Sequence, residues 1–297
     1  MTSNQTSKEE LFYIDFRLYF FGSISRSDLM ERFGISSASA TRKLTEYKEN
    51  FGENLKFSNS SKSYIISNNF KPRFSHNLEQ SLTAITKGFG DSRVKVSDTF
   101  IPCETPLMFN RPDIDVLASI TRAIYLKKAT KLKYSSFSSG ETHREIVPFA
   151  LINDGVRWHT RAYCRNRDRF SDFVLTRMRD VEVLMNSSVE KYELPEFDNQ
   201  WSRIVELDII PHPNPENNDG HPEIIEKDFG MVDGILKIKM RDPIIGYALR
   251  ILNVDCSPDR SMVDKAVRLC VRDPLALYGV STSFLAPGYR PPQTTNS

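Results

Sequence analysis

Two short helical patterns separated by one glycine constrain the start of the chain more than any other feature. In SISRSDLMERFG, Ser25 has the side chain of a helix N-cap, and Asp28 completes a capping box three residues later. Gly34 stands where helices commonly end in a left-handed residue. A second helix begins at Ser36, and its apolar stripe consists of Ala40, Leu44 and Tyr47. Two helices in this arrangement predict a helix-turn-helix.

The neighbouring segments extend this pattern. Upstream, an apolar stripe at helical spacing ends before Gly22 and consists of Leu11, Ile14, Leu18 and Phe21. Downstream, LKFSNSSKSYIIS alternates apolar and polar residues around a turn at 59–62, which indicates a hairpin. We therefore predict a winged helix-turn-helix domain over residues 1–70.

The second helix of this domain has short or basic side chains opposite its apolar stripe, as the floor of a DNA major groove requires. The predicted DNA-contacting residues are Ser36, Ser37, Ala38, Ser39, Thr41, Arg42 and Lys43 on the helix, with Lys56 and Lys62 on the hairpin. Arg42 is the best candidate for a guanine, and the lysines suit phosphates. Any three amphipathic helices with a small-residue turn give a similar pattern, but the hairpin favours DNA binding.

The middle of the chain changes from helical to strand-like patterns. Residues 71–112 predict a helical linker, with a helix in HNLEQSLTAITKGF and then a proline-interrupted segment. Asp113 caps a strong helix, after which short alternating runs continue to about residue 186, separated by NDG and RNRDR. These runs predict a compact, mostly antiparallel barrel or curled sheet.

One of these strands, RWHTRAYCR at 157–165, is basic on one face. Strand alternation predicts a core face of Trp158, Thr160, Ala162 and Cys164. Arginine forks match phosphate oxygens and aromatic rings stack on bases, so the other face and its neighbours predict an anion or nucleotide site. Its predicted residues are Tyr134, Ser136, His143, Arg144, His159, Arg161, Tyr163, Phe173 and Arg177. The alternative is a sheet face whose arginines pair with Asp168, Asp172 and Glu145.

The last part of the chain mixes both patterns. Strand-like RIVELDII and ILKIKM alternate with helical EIIEKDFG and DPIIGYALRIL, which predicts an αβ module over residues 200–285. Residues 286–297 are predicted to form a disordered tail.

Composition and motifs narrow the function. A formal net charge of +2 does not by itself indicate nucleic-acid binding. The 4 cysteines lack a Cys-x-x-Cys pair, and nucleophile-elbow, phosphate-loop and His-Glu-x-x-His motifs are absent, so we predict no enzyme, metal or cofactor. LFYIDFRLYFFG is too short to span a membrane and no secretion signal is present, which predicts a cytoplasmic protein.

The order of parts resembles a known family. LKYSSFSSGETHREIVPFALINDGVRWHTRAYCRNRDRFSDFVLTRM resembles the WYL domain, an Sm-like β-barrel of bacterial transcription regulators. Tyr134, Arg144, Pro148, Trp158 and Arg177 stand at family positions, and Trp158-His159-Thr160 replaces the namesake Trp-Tyr-Leu. Together with DLMERFGISSASATRKL, PHPNP, IEKDFGM and YALRILNVD, the chain is similar to the BrxR/CapW branch of these regulators.

This resemblance implies an α+β multidomain protein with an N-terminal winged helix-turn-helix, a central Sm-like β-barrel at 113–190 and a C-terminal αβ dimerisation module at 200–285. It also implies a homodimeric repressor of a phage-defence operon. Such a repressor binds double-stranded DNA at an inverted-repeat operator and releases it when a nucleotide or oligonucleotide occupies the WYL domain. A transcriptional activator of the same architecture and a nucleic-acid-processing enzyme remain as alternatives.

Overall fold

The computed structural model describes residues 3–87, 89, 103 and 110–292. The chain divides into two compact units, residues 1–106 and 107–297. The helices of the first unit are α1 (Ser3–Phe21), α2 (Arg26–Phe33), α3 (Ser37–Phe51) and α4 (Leu78–Lys87). Its strands are β1 (Ser23–Ile24), β2 (Leu55–Ser58) and β3 (Ser63–Ile66).

The ends of α2 and α3 are those that the sequence predicts. The Ser25 side chain accepts from the Asp28 amide, and the Asp28 carboxylate accepts from the Ser25 amide at 2.6 Å. Gly34 ends α2 in the left-handed region, with φ of 65°. Ser36 caps α3 by accepting from the Ser39 amide. The capping box, the glycine stop and the start of the second helix are confirmed.

The wing is a small antiparallel sheet in the order β1-β3-β2. The predicted hairpin joins β2 to β3, with Phe57 opposite Tyr64 in the register. Its core is shared with the helices, and the predicted stripes of α1 and α3 supply much of it: Ile14, Leu18, Ala40, Leu44 and Tyr47. Full burial of a leucine or isoleucine contributes about 1.5–3 kcal/mol, so these stripes hold α3 in place.

The second unit begins with α5 (Ile114–Leu126), which Asp113 caps as predicted. A five-stranded sheet follows, formed by β4 (Ala129–Ser136), β5 (Gly140–Asn153), β6 (Trp158–Cys164), β7 (Arg169–Val174) and β8 (Met178–Leu184). The order is β7-β6-β5-β4-β8, and all neighbours are antiparallel. The predicted set of strands is therefore confirmed.

Of the predicted barrel or curled sheet, the part of the chain that the structure describes shows an open sheet and no closed barrel. The first and last strands of the sheet order, β7 and β8, each pair on one side only. They are joined by a 3₁₀ turn, Leu175–Arg177, rather than by a ladder. The register of β5 shifts between Pro148 and Ala150, and proline lacks the amide that a ladder needs. The sheet is bent there but stays open.

The C-terminal module packs helices on a second sheet. Its strands are β9 (Ile204–Pro211), β10 (Leu236–Arg241), β11 (Val254–Asp255) and β12 (Leu269–Val271), in the order β10-β9-β12-β11. Its helices are α6 (Asn199–Ser202), α7 (Pro215–Asn218), α8 (Pro222–Asp228) and α9 (Asp242–Ile251). The core includes Leu207, Ile209, Ile245 and Leu249. The mixed strand and helix pattern of the sequence predicted this αβ arrangement.

The segment after residue 285 corrects the prediction of a disordered tail. Ala286 is 5 % exposed and belongs to the core of the C-terminal module. The Cys256 amide donates to the Pro287 carbonyl at 2.9 Å, and Tyr289 packs against the same core. Residues 293–297 lie outside the described part of the chain.

The turn between β5 and β6 lies against α9. Gly155 in this turn has φ of +81°, a conformation that side chains other than glycine rarely adopt. A Cβ atom there would lie 2.5 Å from Cδ1 of Ile251 at the end of α9. A side chain at position 155 would therefore require the exposed Ile251 side chain to rotate away, and the positive φ would strain it in addition.

None of the described helices is long and apolar enough to cross a membrane.

Candidate nucleic-acid interface

The first half of α3 presents the predicted reading surface to solvent. Ser36, Ser37, Ala38, Thr41 and Arg42 are exposed, and Ser39 is half-buried. The Ser39 hydroxyl accepts from Arg42 Nη2 at 3.0 Å, and the Thr41 hydroxyl donates to the Ser37 carbonyl at 2.9 Å. Local bonds therefore keep the hydroxyls close to the helix, while Arg42 is the longest side chain of the surface. This shape lets a helix approach base edges closely.

Lys43 differs from the other predicted contacts on α3. Its ammonium lies 2.9 Å from Glu46 and 3.4 Å from Glu10 of α1, and it also donates to Ser7. The ammonium is directed at carboxylates next to α1 and not at the exposed surface. This corrects the prediction of Lys43 as a phosphate contact, since its charge already has two partners.

A cleft of about 470 Å³ separates α3 from the wing. Its lining consists of Ser25, Arg26, Thr41, Leu44, Phe57, Asn59, Lys62 and Tyr64, and includes no carboxylate. Phe57 is 53 % exposed and meets Tyr64 edge to face, with 5.2 Å between ring centroids. Lys62 lies at the tip of the hairpin, and Lys56 is exposed on β2. The cleft therefore combines two cations, Arg26 and Lys62, with an apolar wall, and it lies next to the reading surface of α3.

Sequence reasoning missed Arg26, Phe57 and Tyr64 in this cleft. Arg26 follows the N-cap Ser25 directly, and Phe57 lies on the same face of β2 as the buried Leu55 but is itself exposed. Strand alternation applied to LKFS would have placed Phe57 in the core with Leu55, so no local signal identified it as an exposed aromatic side chain. No spacing rule brings α2 and the wing together, because that contact depends on the tertiary fold.

A buried polar network supports the reading helix from behind. Asp15 of α1 is fully buried and accepts from the Tyr47 hydroxyl of α3. The same carboxylate lies 2.9 Å from His76 Nε2 and accepts from the Arg73 amide at 3.1 Å. Burial, reinforced by the hydrogen bond to Asp15, raises the pKa of Tyr47 well above its usual range. The network therefore fixes α3 against α1 and against the segment before α4.

The basic strand β6 is buried on both faces, which corrects the predicted open site. His159 and Arg161 are each 3 % exposed and Tyr163 is 5 % exposed. The predicted alternation is present for Ala162 and Cys164, which belong to the sheet core, and Thr160 is also fully buried. Trp158, predicted for that core face, is 37 % exposed at the first position of the strand. The structure covers the basic face with other parts of the chain.

Arg161 is surrounded by acceptors. Its Nε and Nη2 donate to the two carboxylate oxygens of Asp198, at 2.7 and 3.1 Å. Nη1 donates to Asp172 at 3.1 Å, and Nη2 also donates to Gln200 at 2.7 Å. Burial raises the pKa of Asp172 despite the nearby guanidinium. Arg161 thus holds two carboxylates within a buried interface between β6 and the start of the C-terminal module.

Neighbouring residues on this face are also paired. His159 Nε2 lies 2.7 Å from Asp154 Oδ2, and its ring is 5.5 Å from that of Tyr247. Burial opposes ionisation of Asp154, but hydrogen bonds from His159 and from backbone amides lower its pKa overall. Tyr163 donates to Asp168. Burial first, and this hydrogen bond second, raise the pKa of Tyr163 beyond its usual range.

Two of the carboxylate partners, Asp172 and Glu145, are those of the alternative prediction. Asp172 pairs with Arg161, and Glu145 accepts from Arg165. Glu193 adds a second partner for Arg165, with Nε–Oε1 at 2.6 Å and Nη2–Oε2 at 2.8 Å. The arginines of this strand are therefore engaged within the protein. Sequence reasoning anticipated the nearby carboxylates but not Asp154, Glu193 and Asp198.

Two further members of the predicted ligand site are core residues. Tyr134 and Phe173 are 8 % and 5 % exposed and meet edge to face at 5.1 Å. The Tyr134 hydroxyl accepts from the Val174 amide at 3.2 Å. Both side chains stabilise the sheet and do not face solvent in this structure, which corrects their predicted role.

The rest of the predicted ligand site, namely Ser136, His143, Arg144 and Arg177, remains at least partly exposed. Arg177 lies over the ring of Phe137, 4.5 Å from its centroid, and Phe137 is 95 % exposed. Arg144 and Arg167 both donate to the Ser139 hydroxyl, at 3.5 and 3.3 Å. We call the residues Phe137, Ser139, Arg144, Arg167 and Arg177 the hairpin patch. The sequence reasoning overlooked Phe137, although it stands between serines in a strand-connecting turn.

Three guanidiniums and an exposed ring make the hairpin patch suited to an anion with an aromatic base. Among the described residues, no group of histidine, cysteine, aspartate and glutamate side chains is arranged to hold a metal ion.

An exposed polar helix beside a wing, followed by an antiparallel sheet and an αβ module, defines a multidomain winged helix-turn-helix regulator. Family models match these parts in order. They describe the winged helix-turn-helix domain of the BrxR transcriptional regulator over residues 7–87, the WYL domain over 115–183, and the BrxR C-terminal dimerization domain over 204–277.

Several similar proteins are described as DNA-binding transcriptional repressor CapW. The protein of Stenotrophomonas maltophilia is 30% identical over 257 residues, which cover 82% of each chain. That of Escherichia coli strain KTE188 is 29% identical over 283 residues, covering 92% of this chain and 91% of its own. The chain therefore belongs to the BrxR/CapW-like family of WYL-domain transcriptional regulators, which confirms the resemblance inferred from its motifs.

A solved structure, proteasome accessory factor B/C of Arthrobacter aurescens, aligns with 95% of this chain at 14% identity. The chain spans 46% of the length of that protein, and the TM-score of 0.29 is too low to support a structural comparison.

Proposed function

We propose that this protein is a homodimeric transcriptional repressor that binds an inverted-repeat operator through α3 and its wing. The observation that carries the proposal is the exposed surface of Ser36, Ser37, Ala38, Thr41 and Arg42, which combines small side chains with one arginine. A helix of this kind approaches base edges, and an arginine fork matches the O6 and N7 atoms of guanine. CapW relatives, described as DNA-binding repressors, support the assignment.

The wing supplies contacts that do not depend on sequence. Lys56 and Lys62 are exposed on the hairpin, and Lys62 lines the cleft beside α3, which supports their proposed role as phosphate contacts. Binding energy from phosphate contacts falls as salt rises, whereas base contacts set specificity. Lys43 takes no part in the proposed interface, because Glu46 and Glu10 hold its ammonium.

Dimerisation through the C-terminal module would present two α3 helices to the operator. Residues 204–277 match a C-terminal dimerization domain, which supports this proposal. A two-fold dimer binds half-sites about 34 Å apart, one helical turn of DNA, and so requires an inverted repeat.

We assign relief of repression to a nucleotide or oligonucleotide at the WYL domain. The hairpin patch is the exposed surface that fits such a ligand, since Phe137 offers a ring face while Arg144, Arg167 and Arg177 offer charge. Ser136 and His143 flank it on β4 and β5. The ligand releases DNA only when it binds the DNA-free arrangement more tightly than the DNA-bound one.

Footprinting of purified protein on DNA upstream of its own gene tests this function. We propose that the protein is a cytoplasmic regulator of a phage-defence operon. A repressor of this kind should protect two half-sites that overlap a promoter. Protection upstream of the promoter, without overlap, would instead indicate an activator. Loss of the labelled DNA on incubation would indicate a nucleic-acid-processing enzyme, and absence of any protected region would reject the proposal.

A further inference from the structure

Two arginines of the basic strand are held in the same way by carboxylates from one segment. We call residues 185–203, which lead from β8 to the C-terminal module, the connector. Arg165 binds Glu193 through Nε and Nη2, at 2.6 and 2.8 Å. Arg161 binds Asp198 through the same two nitrogens, at 2.7 and 3.1 Å. This two-point fork is also the arrangement in which a guanidinium binds phosphate oxygens.

The spacing of the two forks is that of an extended chain. Arg161 lies on β6 and Arg165 directly follows its last residue, Cys164, and a separation of four residues corresponds to about 13 Å along an extended chain. Their partners, Glu193 for Arg165 and Asp198 for Arg161, are likewise two separate positions along the connector. A single small anion cannot bridge two points so far apart, whereas a linear polymer with repeated negative charges can.

The connector is attached without a β-ladder. It consists of 3₁₀ turns at Lys191–Glu193 and Pro195–Phe197, followed by α6, and no described strand of the sheet pairs with it. Besides the two arginine forks, its contacts with the sheet include ring contacts of Tyr192 with Tyr163 and of Trp201 with Phe149. The connector can therefore exchange its side-chain contacts for those of a ligand while the hydrogen bonds between the strands of the sheet stay intact.

We propose that Arg161 and Arg165 form a polyanion site in which Glu193 and Asp198 take the place of two phosphates, and that a single-stranded oligonucleotide displaces the connector. The proposal rests on the proposed relief of repression by a nucleic-acid ligand. It adds a second, internally blocked site to the hairpin patch.

Energetics favour exchange at this position. A buried ion pair recovers little more than the cost of removing its charges from water, so replacing one anionic partner by another is close to balanced. Tyr192 and Phe197 are 54 % and 47 % exposed, so the connector has an open outer side.

Displacement would also reach the C-terminal module. Asp198 caps α6 by accepting from the amides of Gln200 and Trp201. The Trp201 carbonyl accepts from Arg241 of β10, and its ring lies 4.7 Å from that guanidinium. Release of Asp198 from Arg161 therefore leaves α6, the last part of the connector, attached to Arg241 of β10, a strand within the residues that match a dimerization domain. Ligand binding at this site would therefore be coupled to the C-terminal module, which is proposed to form the dimer interface.

The test is a gain of binding. In the double variant Glu193→Gln, Asp198→Asn, we expect a labelled single-stranded oligonucleotide to bind about tenfold tighter than to the wild type, by fluorescence anisotropy, because two guanidiniums lose charged competitors. A nucleoside monophosphate should show no such gain. The matched control is Glu196→Gln, Asp233→Asn, which changes the net charge equally at exposed residues away from the arginines. Equal gains in both double variants would overturn the proposal, since they would reflect net charge alone.

A measurement on the wild type covers the case in which the double variant does not fold. On addition of the oligonucleotide, backbone amides of the connector should exchange hydrogen faster, whereas unchanged or slower exchange rejects displacement. Operator binding by the same preparations is measured separately. If the protein binds its operator but shows neither the gain of oligonucleotide binding nor the faster hydrogen exchange, the proposed blocking of the site by the connector is rejected and the repressor function stands. If both effects appear but the protein does not bind an operator, the repressor function is rejected.

Discussion

The guanidinium of Arg161 and the carboxylate of Asp198 form a buried two-point ion pair, with 2.7 Å between Nε and Oδ2. The pair joins a central strand of the sheet domain to the first turn of the C-terminal module. Arg161 is 3 % exposed and Asp198 is 1 % exposed, so neither charge has water as an alternative partner.

Arg161→Ala should therefore destabilise the second unit by about 3–5 kcal/mol, because it leaves Asp172 and Asp198 buried without their cation. Both tryptophans, Trp158 and Trp201, lie in this unit, so urea unfolding followed by tryptophan fluorescence reports on it. Arg167→Ala, at an exposed arginine of the neighbouring turn, should change stability by less than about 0.5 kcal/mol. Equal effects of the two substitutions would contradict the structural role of Arg161.

The Glu193–Arg165 pair should give stability a specific pH dependence. Burial raises the pKa of Glu193, but hydrogen bonds from Arg165 outweigh this and hold it below its ordinary value of 4.5. A carboxyl group with a lowered folded pKa contributes stability that is present above the ordinary value and lost as pH falls through the folded value. The wild type should therefore lose more stability below pH 4.5 than Glu193→Gln does. Parallel curves of urea midpoint against pH for the two proteins would exclude this pair as the cause.

Arg42→Ala should weaken operator binding by about 1–3 kcal/mol, since the variant lacks the only fork on the exposed surface formed by Ser36, Ser37, Ala38, Thr41 and Arg42. Binding to unrelated DNA should change less, so specificity should fall. Lys48→Ala, at an exposed lysine in the last turn of α3, is the control on the same helix. A gel-shift titration in which Arg42→Ala retains full operator affinity would remove α3 as the reading helix.

Arg26→Gln should weaken binding to operator and unrelated DNA by similar factors, because a cation at the cleft between α3 and the wing meets phosphates rather than bases. The slope of log affinity against log salt should fall by about one unit per lost phosphate contact. Phe57→Ala should weaken binding without changing that slope, since the ring carries no charge. A salt slope unchanged by Arg26→Gln shows that the arginine does not contact the backbone.

Arg177→Ala should reduce oligonucleotide binding by about 1–3 kcal/mol, because it removes both the charge and the ring partner of the exposed Phe137. Operator affinity and thermal stability should stay close to those of the wild type, since Phe137 and Arg177 lie at the surface. Lys133→Ala, which loses a surface ion pair with Asp180, is the control on the same sheet. Retained oligonucleotide binding in Arg177→Ala would exclude the hairpin patch as a ligand surface.

Local signals predicted most of the elements. The caps Ser25, Ser36 and Asp113 are short-range features, and the alternation of β6 follows from strand geometry, so both were readable from a few residues. The residues that cover the basic face of β6 could not be predicted from a few neighbouring residues. Asp198 lies 37 residues from Arg161, and a pattern within one strand contains no information about such a distant partner. For the same reason the prediction placed Arg161 on an open surface, although Arg144 and Arg177 of the same predicted site are at least partly exposed.

The turn at Gly155 brings the sheet domain beside Ile251 of the C-terminal module. An added Cβ atom would displace the end of the exposed Ile251 side chain, which can rotate away, whereas the φ of +81° would strain any other residue. A designer who grafts this sheet domain onto a different C-terminal module should therefore keep the glycine but has freedom in the helix end that faces it.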